Sequence, residues 1–396
     1  RASLGTGLRR AAEQFFARRA GEPTVVAGYP WFTDWGRDTM IALPGLMAAT
    51  GRTEDARGIL RQFARHADRG MLPNWFPEVG QEPEYNTIDA ALWFFEAVRA
   101  WFDATGDAAF IKAEIYPVLK SIVHWHLRGT RYGIAIDDDG LVTGGAPGVQ
   151  LTWMDARIGD WVVTPRFGKP VEIQALWYNA LRILEEFGRE FDDPVTKLRA
   201  MELADTCVRH FEPQFWNAEA SCLYDVIEEE GRPDASIRPN QILAASLRYP
   251  LLMGLRARQV VECVQRELFT PFGLRTLAPG DVRYRPRYEG GVEQRDSAYH
   301  QGTAWPWLLG PFIDAWLRVH DDDAPAARQQ AITWLEPLAD HLEREGQLPE
   351  IADGDAPHQP AGCFAQAWSV SELARVAARL GLDDRLRETR SIGRPA

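Results

Sequence analysis

Apolar residues recur at three- and four-residue spacing in twelve stretches of the chain. They lie near 4–19, 38–50, 54–68, 86–104, 108–129, 170–190, 194–211, 239–248, 256–268, 301–319, 324–342 and 364–381. That period lines one face of a helix with apolar side chains, so each stretch predicts an α-helix. Between them only short pieces such as 132–136 and 141–143 have strand character. The pattern is that of an all-α chain.

The connections carry a second regularity. The segments leading into the helices near 38, 86, 170, 239, 301 and 364 are rich in aromatic and charged residues. They read "YPWFTDWGRD", "LPNWFPEVGQEPEYNTID", "LTWMDARIGDWVVTPRFGKPVE", "SIRPNQ", "RYEGGVEQRDSAYHQGTAWPW" and "LPEIADGDAPHQPAGCFAQAWS". The intervening helices follow plain turns such as "ATGRTEDA" and "ATGDAAF". Six decorated lead-ins among twelve helices imply six helical hairpins whose decorated loops converge at one end, an (α/α)6 barrel or toroid. An open solenoid fits less well, because the lead-ins lie roughly 50 to 85 residues apart without a shared repeat. No Pro/Ser-rich linker interrupts the chain, so residues 1–396 read as one catalytic domain. The chain starts at Arg1 and not at Met, which leaves room for an upstream N-terminal domain.

Composition narrows the chemistry. The net charge of −12, with no basic stripe, argues against nucleic acid or an anionic membrane as partner. No apolar run reaches the roughly 18 residues of a membrane span. The four cysteines, Cys207, Cys222, Cys263 and Cys363, share no metal-binding spacing. They read as free thiols of a reducing compartment, which suggests the cytoplasm. His124 and His126 do not share a helix face, so no metal and no cofactor is expected. The chain holds fifteen tryptophans, many of them in the decorated connections, where rings line pockets more readily than cores.

Carboxylates and indoles without a nucleotide loop point to carbohydrate. Cleaving a glycosidic bond requires one protonated carboxyl for the leaving oxygen and a second as base or nucleophile. Asp155 stands in "LTWMDAR" between apolar neighbours that would raise its pKa, and Arg157 would oppose that shift if close. Glu350, after Pro349 and between two helices, suits a base beside a water-accessible wall. Asp353 and Asp355 compete with it. Around these stand Trp31, Asp34, Trp35, Arg37 and Asp38 in the first lead-in and Asn86 and Asp89 in the second. Trp153, Arg157 and Glu172 come from the third, Gln174 from the first turn of the helix near 170 that follows it, and His300, Gln301 and Trp305 from the fifth. The bland reading of several is helix capping or core packing. Glu289 and Glu293 flank "GGV" in what reads as a loop.

Six segments, "AGYPWFTDWGRDTMIALPGL", "NTIDAALWFFEAV", "LTWMDAR", "RPNQ", "YHQGTAWPWLLGPF" and "AGCFAQAWSVSELARV", together resemble the glucosidase domain of glycogen debranching enzymes, the amylo-α-1,6-glucosidases. The resemblance implies an (α/α)6 barrel that hydrolyses α-1,6-linked glucose at branch stubs of glycogen, limit dextrin or malto-oligosaccharide, with inversion. It implies Asp155, in the Trp-Met-Asp motif, as general acid and Glu350 as general base. By analogy with glucoamylases, Arg37 and Asp38 would hold the terminal glucose while Trp31 or Trp35 stacks on it. An inverting pair should stand roughly 6.5–9.5 Å apart. The competing expectations are a trehalase-like or glucosylglycerate-hydrolase-like enzyme acting on a small α-glucoside, and a non-catalytic glycan-binding protein.

Overall fold

The computed structural model describes residues 3–76, 82–146 and 148–382. Fourteen α-helices run through these residues. They are α1 (Leu4–Glu13), α2 (Gly36–Thr50), α3 (Thr53–Arg65), α4 (Ala90–Thr105), α5 (Ala108–Phe110), α6 (Tyr116–Arg128), α7 (Val171–Glu190), α8 (Pro194–Phe215), α9 (Leu243–Ser246), α10 (Gly254–Leu268), α11 (Val292–Ala298), α12 (Leu309–Val319), α13 (Pro325–Glu345) and α14 (Ala367–Leu380). Every stretch predicted from periodicity contains helix.

The differences are at the edges. The first stretch ends at Glu13, because Phe16–Arg19 pairs as a strand with Glu22–Val25. The stretch at 301–319 opens with the strand Ala304–Trp305 and a 3-10 turn, Pro306–Leu308, before α12 begins. The stretch at 239–248 becomes a 3-10 turn, Pro239–Ile242, and the four-residue α9. The segment read as a loop around Glu293 forms α11.

Two kinds of helix are present, for a reason visible in their sequences. α3 is amphipathic and buries Ala56, Ile59, Leu60 and Phe63, a single i, i+3, i+4, i+7 stripe. α4 buries Trp93, Phe94 and Phe95 in succession, on every side of its axis. A helix apolar all round must be surrounded by protein. Accordingly α2 packs on α4 and α14, α4 on α7, α7 on α9, α9 on α12, and α12 on α14. The amphipathic helices lie against these: α1 on α2 and α14, α3 on α4, α8 on α7, α10 and α13 on α12.

The two ends of this helix set differ. α2 and α4 terminate in left-handed glycines, Gly51 (φ 72°) and Gly106 (φ 67°), which cap the helix and turn the chain at once. The lead-ins at the other end are long and are laced together by short antiparallel pairings. Gly28–Tyr29 pairs with Ala365–Gln366, joining the first lead-in to the last. Leu274 and Arg275 pair with Trp305 and Ala304, and Ala304 pairs onward with Ala352. Trp35 bridges to Trp75 in the second lead-in. This lacing meets the hydrogen-bonding needs of irregular backbone and gives the loops fixed positions.

Candidate active site

The first lead-in turns into α2 through an extended Trp35 followed by Gly36. A Cβ on Gly36 would lie 2.0 Å from the Pro73 carbonyl oxygen, so only glycine lets the two loops close up here. The close approach aims Arg37 inward, where it is 3% exposed. Its Nε donates to both carboxylate oxygens of Asp89 at 2.8 Å, one Nη to Asp155 at 3.1 Å and the other to the Leu151 carbonyl at 3.1 Å. Three lead-ins thus meet on one guanidinium. Burial alone would lower its pKa, but Asp89, Asp155 and Asp38 reverse that and hold it cationic.

The carboxylates around it are unequal. Asp89 stands at the N-cap of α4, fully buried against Arg37. Asp155 keeps 41% of its side chain exposed. Its surroundings nonetheless desolvate it and push its pKa up, against the pull of Arg37, with Asp89 adding to the rise. Asp38, in the first turn of α2, is pushed up to about 7 by burial, opposed by Arg37 and reinforced by Asp155 and Glu350. Asp38, Asp155 and Glu350 therefore share one electrostatic basin.

Glu350 is 2% exposed. Its backbone N–H donates to the Cys363 carbonyl at 2.9 Å, and its Oε2 accepts from the Cys363 N–H at 2.8 Å. The Tyr299 hydroxyl donates to Oε1. Burial pushes its carboxyl up to about 7 against these two hydrogen bonds, which favour the anion, and the charge of Asp155 adds to the rise. Gly362 makes room for it: φ is +71°, and a Cβ there would sit 2.4 Å from Glu350 Oε2. The two rivals are tied elsewhere. Asp353 accepts from the Tyr288 N–H at 2.9 Å and from Arg287 at 3.1 Å, and Asp355 accepts from the Tyr284 hydroxyl at 2.8 Å.

The other expected residues separate into wall, support and rim. Trp153 is buried, donates from Nε1 to Asn240 at 2.7 Å, and meets His300, Trp305 and Trp307 edge-on at 5.2–5.3 Å. His300 stacks on Trp305 at 5.1 Å. Burial, then Arg238, Arg37 and Arg166, keep that imidazole neutral. Gln301 accepts from Arg238 at 2.9 Å and donates to the Val163 carbonyl at 2.9 Å. Glu172 pairs with Arg166, and Gln174 clamps Val142 through its N–H and C=O. These are buried supports. Asp34 is buried against Arg19 and Thr24. Trp35 is half-buried and edge-on to Phe32, Asn86 donates to Glu84 at 3.2 Å, and Trp31 stands 62% exposed. Arg157 is exposed and bonds the Gly159 carbonyl at 2.6 Å in its own hairpin. The guanidinium beside Asp155 is that of Arg37, from the start of α2, more than a hundred residues away in sequence.

Sequence reasoning missed Tyr299, Arg166, Asp225, Arg238 and Asn240 as functional supports. Arg238 and Asn240 lie in "RPNQ" and Tyr299 in "YHQGTAWPW", so the motifs were visible while the partners were not. Arg166 bonds Asp225 at 2.7 Å, Asn240 donates to Asp225 at 2.8 Å, and Asn240 in turn receives Trp153. This network braces the backbone that presents Asp155. Among the described residues no group of three or more His, Cys, Asp or Glu side chains could hold a metal ion.

This arrangement can deliver a proton from one carboxyl and take one with another. The fold matches a GH63 mannosylglycerate hydrolase of Thermus thermophilus, with a TM-score of 0.64 and 15% identity over 94% of this chain and 100% of that one. It also matches a GH78 rhamnosidase of a Bacillus species, with a TM-score of 0.63 and 16% identity over 96% of this chain and 35% of that one. The glycogen debranching enzyme of Saccharomyces cerevisiae is 26% identical over 401 residues, covering 78% of this chain and 26% of the yeast protein. The chain thus spans about a quarter of that relative's length. The family model described as amylo-alpha-1,6-glucosidase matches residues 10–375. With that match over nearly its whole length, the chain belongs to the amylo-α-1,6-glucosidase family and is a glycoside hydrolase.

Proposed function

We propose that this glycoside hydrolase is an (α/α)6 barrel that releases glucose from α-1,6 branch stubs of glycogen or limit dextrin, with inversion. The observation that carries the chemistry is that Asp155 and Glu350, from different lead-ins, share one electrostatic basin but are held by different partners. In this reading protonated Asp155 gives its proton to the glycosidic oxygen as the bond to the anomeric carbon breaks. Ionised Glu350 takes a proton from the water that attacks the opposite face. One water is consumed, and the sugar leaves as the β anomer. Arg37 fixes Asp155 in place, and Asp38 faces the same basin as an acceptor for sugar hydroxyls. The succession of helix contacts from α2 round to α14 supports the barrel, and the free, buried cysteines support a cytoplasmic setting.

Glucose release from a phosphorylase limit dextrin, with the product anomer followed by NMR, tests this reading. Appearance of α-glucose as the first product overturns inversion, and absence of release overturns the substrate. A second reading, hydrolysis of a small α-glucoside, draws on the match over the full length of the mannosylglycerate hydrolase. Faster turnover of a disaccharide or glucosylglycerate than of limit dextrin would favour it.

A further inference from the structure

Among the described residues, the exposed Trp and Phe rings are three: Trp31 at 62%, Trp161 at 46% and Phe364 at 63%. Single exposed apolar residues are ordinary. Here the segregation is not ordinary. The other large exposed side chains are Leu, Val or Met, most of them on helices or their flanking turns. All three rings stand in the decorated lead-ins.

Two of them lie on the segments that carry Asp155 and Glu350. Trp161 sits at the far side of the hairpin that pairs Arg157 with Val162 and Ile158 with Trp161, directly after Asp155. Phe364 follows Cys363, whose N–H holds Glu350. Each of these two lead-ins therefore carries one of the carboxylates and one exposed ring. Beside Phe364 opens a groove of about 460 Å³ that also takes in Pro349 and Gly362. It runs towards His341, Arg344 and Glu345 at the end of α13, with Gln347 and Gln359 on its walls. The groove thus includes Pro349 and Gly362, which flank or contact Glu350, and carries amide, guanidinium and carboxylate groups suited to hydroxyls. An apolar ring beside such groups suits a ligand with an apolar face and a hydroxylated edge, which describes a pyranose ring.

We propose that Trp161 and Phe364 are sugar-stacking platforms outside the reaction pocket, and that they hold outer glucose units of the glucan carrying the scissile branch. This rests on the reading of the pocket as a glucan-cleaving site. It assigns selection for polymer over small glucoside to the rim and leaves bond cleavage to the pocket.

The test compares glucose release from limit dextrin and from isomaltose by the wild type, Trp161→Ala, Phe364→Ala and the double variant. The rim role predicts a KM-driven fall in kcat/KM on limit dextrin, on the order of tenfold per ring. Isomaltose kinetics stay unchanged, and Trp161→Tyr and Phe364→Trp restore the polymer activity. Unaltered limit-dextrin kinetics in the double variant, or equal losses on both substrates, overturn the proposal while the pocket reading stands. A wild type that releases glucose from neither substrate overturns the pocket reading and the proposal with it.

Discussion

Two buried charge clusters lie side by side in this fold, and they use the same residue types to opposite ends. Around Arg166, all four carboxylate oxygens of Glu172 and Asp225 receive a guanidinium or amide N–H. Around Arg37, one guanidinium is divided among Asp89, Asp155 and the charge of Asp38, while Glu350 has only a phenol and a backbone N–H. Where cations and donors match the carboxylates, the cluster is a brace. Where carboxylates outnumber cations in a desolvated basin, their pKa values rise towards neutrality, and Glu350 and Asp38 both reach about 7. Burial is the largest upward push on Glu350, Asp38 and Glu172 alike, and the supply of donors and cations then separates the fully paired Glu172 from the sparsely paired Glu350.

The largest expected effect falls in the poorer cluster. Asp155→Asn removes the transferable proton and should lower kcat by about 10²–10⁴-fold with sugar binding retained. Steady-state kinetics together with calorimetric binding of a product sugar check this, and retained turnover would reassign the acid. The richer cluster should break through stability instead. Arg166→Met leaves Glu172 and Asp225 buried without their main cation and should cost about 3–5 kcal/mol of folding stability, read by chemical denaturation. A neutral outcome would mean that this network is not the brace described.

Gly362→Ala probes the space kept for Glu350. A methyl group 2.4 Å from Oε2 at φ +71° adds backbone strain and displaces the carboxylate, so kcat should fall with a stability loss of about 1–3 kcal/mol. The smallest effect is a shift in pH dependence. As base, Glu350 must be ionised, so kcat/KM should rise with pH through an acid limb near 7. Tyr299 donates to the anion and lowers this pKa. Tyr299→Phe therefore moves the acid limb to higher pH, by about one unit or less. A limb that stays put or moves down would detach Tyr299 from Glu350 or Glu350 from the role of base.

Periodicity was enough for the helices because burial of an apolar face is a local property of a sequence. α3 and α4 declare in their own residues whether one side or all sides will be covered. It was less good at 301–319, where Pro306 and the ladder through Ala304 compete with helix, and at α11, whose seven residues carry too few apolar positions to show a period. Asp155 and Glu350 were visible as loop carboxylates in unusual company. The cation that Asp155 meets was not: Arg157 is its neighbour in sequence, yet Arg37 is its neighbour in space.

Sequence alone therefore determined where the long helices lie, which connections are decorated, and which residue types are available for chemistry. Each of these depends on side chains within a few residues of one another. Only the tertiary structure decided which carboxylates share a basin, that Tyr299 and Cys363 hold Glu350, and that Arg166 rather than Arg37 is fully matched. Electrostatic environment is a property of distances between loops brought together by the packing of α2, α4, α7, α9, α12 and α14, and no local pattern encodes those distances.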